Sequence, residues 1–180
     1  LTFSNLDDAI LAQYAKDDVE AFTELYIRYV DRVYRYFYSR TVCSIDAEDL
    51  TSQTFFALVK GISRYRSSTP FGAYLFAIAR RKLIDFWKEP SFISLDIFEN
   101  DLISKTNTEE IVQLKIDIEN ILRHLTKLAP ARAEVVRLRI FAGLSSLETA
   151  QVMNKSEGAI DVLLHRALAD LRKLNNQVDM

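Results

Sequence analysis

A chain of 180 residues, 49% of them apolar, carries enough hydrophobic material for one domain or two small ones. Only four glycines and three prolines occur, and β-branched runs of period two are absent, which excludes a sheet-rich fold; a single cysteine, Cys43, excludes an internal disulfide and suits a reducing cytoplasm. No apolar run approaches a membrane span and no signal peptide is visible, so cytoplasmic localisation without membrane insertion is expected; the net charge of −2 hides a segregation described below.

In chain order, Ser4 to Ala15 reads as a short capped helix, and Asp17 or Asp18 opens a longer one. Phe22, Leu25, Tyr26, Tyr29, Val33 and Phe37 recur along it at helical spacing. Ser44 or Asp46 starts a third helix that runs to Lys60. Its main stripe is Leu50, Thr54, Ala57, Leu58 and Ile62, while Phe55, Phe56 and Val59 fall outside it. A helix apolar on more than one side is either deeply buried or offers a docking surface. Its acidic first turn (Asp46, Glu48, Asp49) suits the helix dipole and by itself proves no partner.

Arg64 to Pro70 is turn-forming, and Phe71 to about Trp87 is helical again, with Phe71, Leu75, Ile78, Ala79, Leu83 and Phe86 inward. From Lys60 to Lys88, seven cations (Lys60, Arg64, Arg66, Arg80, Arg81, Lys82, Lys88) stand against Asp85 alone. Aromatic residues Tyr65, Phe71, Tyr74, Phe76 and Trp87 are interleaved with them. Cations that hold phosphates beside rings that stack on bases are what an unpaired nucleic-acid strand requires. The competing reading is a solvated basic face with its aromatics in the core.

Glu89 to Thr108 lacks periodicity and is acidic around Asp96, Glu99 and Asp101, which reads as a flexible linker. Thr108 caps a helix with Ile111, Leu114, Ile118, Ile121, Leu125 and Leu128 along one seam, and Pro130 starts another that ends near Gly143. Ser145 and Glu148 form a capping-box pattern, Asn154 suits a left-handed stop, and Ser156 caps a last helix with Ile160, Leu164, Ala167, Leu168 and Leu171 inward. Two helices joined by a tight turn, with Ala150 at the crossing, read as helix-turn-helix; an ordinary helical hairpin is the plainer alternative. The expected fold is all-α: two small bundles, residues 1–89 and 111–180, joined by a flexible acidic linker at 90–110.

Together these residues resemble the bacterial RNA polymerase sigma factors of the extracytoplasmic-function type. Asp46-Ala-Glu-Asp-Leu50 with Thr54-Phe55 is similar to that family's polymerase-binding helix. Phe71 to Arg80 with Ile84-Asp85 is similar to its promoter-melting helix. Leu128 to Leu138, Gly143-Leu-Ser, Glu148, Ala150, Ser156-Glu-Gly158 and Leu164 to Ala167 are similar to its helix-turn-helix domain. The resemblance implies a factor that binds core RNA polymerase through Asp46, Glu48, Asp49, Leu50, Gln53 and Phe55. It implies contact with promoter DNA through Lys60, Arg64, Tyr65, Arg66, Phe71, Tyr74, Arg80, Arg81, Lys82 and Trp87 at the minus-ten element. Lys155, Ser156, Asp161, His165 and Arg166 would serve the minus-thirty-five element. It further implies an anti-sigma factor as partner, and neither cofactor nor metal.

Two departures stand out. Ser52-Gln53 replaces the family's usual Gln-Glu, and the recognition helix carries Ala159, Asp161, Val162 and Leu163 where basic or hydroxyl residues are common. A carboxylate there can accept from cytosine N4 but is repelled by phosphates, which points to weak or unusual upstream recognition. A sigma-like decoy for an anti-sigma factor and a conventional helix-turn-helix regulator stay open. His124 and His165, the two histidines, have no metal-like neighbours, and no nucleophile motif occurs, so an enzyme is not expected.

Overall fold

The computed structural model describes residues 3–88 and 109–176. Eight α-helices make up most of these residues: α1 (Asp8–Tyr14), α2 (Val19–Thr41), α3 (Ser44–Gly61), α4 (Phe71–Lys88), α5 (Glu109–Thr126), α6 (Pro130–Val136), α7 (Ser146–Met153) and α8 (Glu157–Asn176). The expected linker at 90–108 and the Thr108 cap lie outside the described residues. No strand occurs among the described ones.

Local chemistry explains the helix ends. Asp7, not Ser4, caps α1, accepting from the Ala9 amide at 2.8 Å, and a short 3₁₀ turn, Phe3–Asn5, precedes it. Asp18 caps α2 by accepting from the amides of Glu20 and Ala21. Ser145 and Glu148 close a full capping box on α7, and Asn154 ends that helix in the left-handed region at φ 52°. The sixth helix does not continue to Gly143 as an α-helix. Arg137–Phe141 winds as a π-turn, with the Ala142 amide bonded to the Arg137 carbonyl at 2.9 Å.

Helices α1 to α4 enclose a core of Leu25, Tyr29, Val33, Phe37, Leu50, Leu58, Leu75 and Phe76, among others. Arg28 ties the N-terminal turn down, donating to the carbonyls of Phe3, Ser4 and Leu6 and to Asp8. Helices α5 to α8 form a second core around Leu125, Val135, Val136, Ile160 and Ala167, stitched by an Arg132–Asp170 ion pair. The seam read along α5 is only partly interior: Leu125 and Leu128 are buried, whereas Ile118 and Ile121 face solvent, and Leu122, outside the seam, is buried instead.

The two halves also share material. Leu138, Ala142, Leu144 and Val152 belong to the first core, and Val42, at the end of α2, packs on the second. Gly72 makes the close approach of α4 to α7 possible: a methyl group there would lie 2.9 Å from Cδ of Glu148 and 3.2 Å from Cδ2 of Leu144.

Candidate functional site

Three exposed surfaces carry the residues singled out from the sequence. The first is the outer face of α3. Asp49, Gln53, Phe56 and Lys60 follow at steps of four, three and four, so they share one side of the helix. Gln53 donates to Asp49 at 2.8 Å, and the Lys60 ammonium sits 4.2 Å above the Phe56 ring. Phe56 is 62% exposed and Val59 54%, both large for apolar side chains on a soluble surface. Glu48 is exposed and Asp46 half-buried. Leu50 and Phe55 do not join this face. Leu50 is buried in the core, and Phe55 is buried edge-on against Tyr26 with ring centres 4.8 Å apart. Direct docking by those two is corrected accordingly: the helix turns them inward, and Phe56 takes the outward place.

The second surface combines the 64–70 loop with the outer face of α4. Tyr65 is extended (φ −61°, ψ 137°) and its ring turns inward, while neighbouring Arg64 and Arg66 are exposed. The Tyr65 hydroxyl donates to the Thr69 carbonyl at 2.7 Å, and its ring packs on Phe71 and Tyr74. Phe71 in turn meets Tyr29 edge-to-face at 5.1 Å. These rings therefore anchor the loop from inside. The expected stacking of bases on Tyr65 and Phe71 is corrected by their burial, as it is for Phe76. Edge-to-face packing and the large area removed from water keep all three in the core. Tyr74 is half-buried and donates to the Gly61 carbonyl at 2.9 Å.

What α4 shows to solvent is Ala77, Arg81, Ile84, Asp85 and Lys88 on one stripe, with Trp87 beside it. Trp87 is 61% exposed, and Phe86 braces it edge-on at 5.2 Å. Lys82 is half-buried on another side of the helix. Arg80 points away from the stripe into the second half of the chain, donating to the Val152 carbonyl at 2.9 Å. The cations of the sequence segment thus divide: Lys60, Arg64, Arg66, Arg81 and Lys88 face solvent, and Arg80 is engaged internally. Ile84 and Lys88, not singled out as contacts from the sequence, complete the stripe; their four-residue spacing was the available signal.

The third surface is the helix-turn-helix. Lys155, Ser156, Asp161, His165 and Arg166 are all exposed, and the last three share one face of α8 with Val162. Ser156 accepts from the Ala159 amide at 3.3 Å. Asp161 accepts from the Ser146 hydroxyl at 2.8 Å, which ties the recognition helix to the first turn of α7.

Between the halves lies a buried polar cluster that the sequence did not announce. Glu134 is 4% exposed, accepts from the Tyr36 hydroxyl at 3.0 Å, is paired with Arg40, and has Arg80 Nε 3.9 Å away. Arg137 donates to the Ser39 carbonyl at 3.2 Å, and burial together with nearby Arg40 pushes its guanidinium down to about 10. Burial and the Glu134 carboxylate hold the Tyr36 phenol above its ordinary range. Arg32 donates to the carbonyls of Ala142 and Gly143 at 2.8 and 2.9 Å, and Gly143 adopts a φ of 65°. Among the described residues no cluster of three or more His, Cys, Asp or Glu side chains could hold a metal, and no helix is long and apolar enough to cross a membrane.

Comparison with known proteins gives a consistent picture. Residues 25–91 match Sigma-70 region 2, and residues 118–171 match Sigma-70, region 4. The chain is 36% identical over 162 residues to the ECF RNA polymerase sigma factor BldN of Streptomyces coelicolor, an alignment covering 87% of this chain and 61% of that protein. It thus spans less than two thirds of that relative's length. It is 31% identical over 137 residues to the ECF RNA polymerase sigma factor ShbA of Streptomyces griseus, covering 72% of each. The solved structure of CnrH in complex with the cytosolic domain of CnrY is similar at a TM-score of 0.72 and 25% identity, over 94% of this chain and 97% of that one.

Proposed function

The chain belongs to the RNA polymerase sigma factors of the extracytoplasmic-function type, and we propose that it binds core RNA polymerase and opens promoter DNA by binding rather than by catalysis. The observation that carries this reading is the outer stripe of α4, where Arg81, Ile84 and Lys88 are exposed together with Trp87, with Asp85 the one acid among them; Arg64 and Arg66 are exposed in the loop that leads into the same helix. Such a surface exchanges base stacking for contact with an indole and neutralises the phosphates of the separated strand. In the proposal, residues 1–89 serve polymerase binding and the minus-ten element, with Asp49, Gln53 and Phe56 as the docking face and Lys60 at its edge kept as a DNA contact. The segment 90–110 tethers them to residues 111–180, whose α8 reads the minus-thirty-five element. An anti-sigma partner and a cytoplasmic setting belong to the same reading.

A decoy that binds an anti-sigma factor without DNA is favoured by one observation, the exposed carboxylate of Asp161 on the recognition helix. Capture of core polymerase by the full chain, followed by run-off transcription from a genomic library, separates the two. Sigma activity yields captured polymerase and discrete transcripts. Captured polymerase without transcripts, or no capture, overturns the proposal.

A further inference from the structure

Two turn bonds shape the loop that carries Arg64 and Arg66: the Tyr65 amide donates to the Ile62 carbonyl at 3.0 Å, and the Thr69 amide to the Arg66 carbonyl at 3.1 Å. Neither bond fixes where the two guanidinium groups point. That direction follows Tyr65, which stands between them in the chain and is buried. The Tyr65 ring packs on Phe71, and Phe71 packs on Tyr29. The Tyr29 hydroxyl donates to Oδ2 of Asp8 at 2.5 Å. A line of contacts thus runs from the first residue of α1, through α2 and the first residue of α4, to the loop with the arginines.

Asp8 is where this line ends on a charge. Its other oxygen, Oδ1, accepts from Arg28 at 2.6 Å, while Arg28 also holds the carbonyls of Phe3, Ser4 and Leu6. Both carboxylate oxygens therefore serve donors from α2. The helix dipole favours an acid in the first turn of α1, but Asp7 already caps that helix, and a dipole does not account for two donors from another helix. Burial, followed by the carboxylates of Asp7 and Asp8, raises the Tyr65 phenol above its ordinary range, which marks how near this end of α1 lies to the loop. At the loop tip α1 leaves a gap: an open cleft of about 410 Å³ is lined by Ala9, Ile10, Gln13 and Tyr14 on one side and Ser67 on the other. The influence of α1 on Arg64 and Arg66 accordingly runs through the buried rings.

We propose that Asp8 is a positioning residue for the strand-gripping loop. By fixing the Tyr29 hydroxyl it fixes the row of Tyr29, Phe71 and Tyr65, and with it the side from which Arg64 and Arg66 meet phosphate. Helix α1, which precedes the residues matched to Sigma-70 region 2, then belongs to the nucleic-acid machinery. The inference rests on the sigma-factor reading for what the loop grips, while the placement of the loop is measurable without nucleic acid.

The test uses the full chain with Asp8→Asn and, separately, Tyr29→Phe, which removes one hydroxyl and keeps the ring. Brief trypsin treatment under native conditions reads the loop, because Arg64 and Arg66 are exposed cleavage sites. Both variants are expected to be cut about three- to tenfold faster after these two residues, as for coupled side chains of one network, with other cuts and the melting temperature little changed. A fluorescein-labelled single-stranded DNA of mixed sequence reads the consequence. Removing an acid by itself strengthens attraction to a polyanion. Asp8→Asn is nevertheless expected to bind about three- to tenfold more weakly, with the salt dependence shallower by about 0.7 for each phosphate contact given up. In an Arg64→Ala, Arg66→Ala background that further loss is expected to vanish. Cutting after Arg64 and Arg66 unchanged in both variants, cutting raised alike at every site, or an equal further loss in the double-alanine background overturns the positioning role. Faster cutting at the loop, in a chain whose parent form does not bind the strand, overturns the sigma-factor reading instead and leaves the role of Asp8 standing.

Discussion

Ser146 of α7 donates its hydroxyl hydrogen to Asp161 of α8 at 2.8 Å, so an acidic side chain in the middle of the exposed face of α8 also braces the helix-turn-helix. Two effects of this carboxylate can be separated by substitution. Asp161→Asn keeps an acceptor for Ser146 and removes the charge; Asp161→Lys gives up the brace and adds a cation. Both are expected to strengthen duplex binding, with Asp161→Lys steepening the salt dependence by about 0.9 for each further phosphate neutralised. Fluorescence anisotropy across a salt series checks this. Unchanged or weaker binding in both variants would show that Asp161 does not face the duplex.

Rings at the surface and rings in the core are expected to fail differently. Phe71→Ala removes a buried ring packed on Tyr29 and Tyr65, and should cost about 3–5 kcal/mol of stability. Trp87→Ala should leave the melting temperature nearly unchanged and weaken single-strand binding by about 1–3 kcal/mol. Thermal melts beside oligonucleotide titrations distinguish the two. Equal loss of stability in both would place Trp87 in the core.

A similar contrast applies to adjacent residues of α3. Phe56→Ala is expected to reduce capture of core polymerase by about 1–2 kcal/mol or more, as for an interface anchor, with the fold intact. Phe55→Ala is expected to destabilise the chain by about 3–5 kcal/mol because it opens a cavity beside Tyr26. Surface-bound polymerase titrations and urea unfolding give the two readouts. Normal polymerase affinity in Phe56→Ala would move the docking face elsewhere.

The phenols of Tyr29 and Tyr36 are both held above the ordinary range, Tyr29 by burial and its hydrogen bond to Asp8, Tyr36 by burial and Glu134. Their stabilising effect is complete below a pH of about 10, where an unfolded tyrosine keeps its proton. Above that, the unfolded chain releases protons that the folded chain retains, so stability falls as pH rises from there toward the folded values. Ultraviolet titration of phenolate is expected to show two tyrosines ionising only together with loss of helical ellipticity. Ionisation of all eight ahead of unfolding would contradict their burial.

Local signals in the sequence were readable because they need only near neighbours. The Ser145–Glu148 capping box and the left-handed Asn154 depend on residues within one turn, and both occur as expected. The cap of α1 was misplaced to Ser4 because Ser4 and Asp7 are chemically equivalent candidates; the chain first turns through Phe3–Asn5 and only then begins the helix. Phe55 and Phe56 were indistinguishable because a helix apolar on two sides does not say which side meets α2. Tyr65 and Phe71 looked available for stacking because composition cannot see Tyr29 packing on Phe71 from α2, with Tyr65 against that same ring. The π-turn after Val136 has no sequence signature. Glu134 carried one overlooked sign: an acid set among Ala133, Val135 and Val136 needs buried partners.

The central claim is that this chain separates promoter strands with the outer stripe of α4. Permanganate oxidation of unpaired thymines, on a promoter incubated with core polymerase and the chain, measures it most directly. Reactive thymines at the minus-ten element are expected only when both proteins are present, and are expected to be lost with an Arg81→Ala, Trp87→Ala double variant that still captures polymerase. Reactivity retained in full by that variant, or promoter DNA left wholly paired beside captured polymerase, would contradict the account.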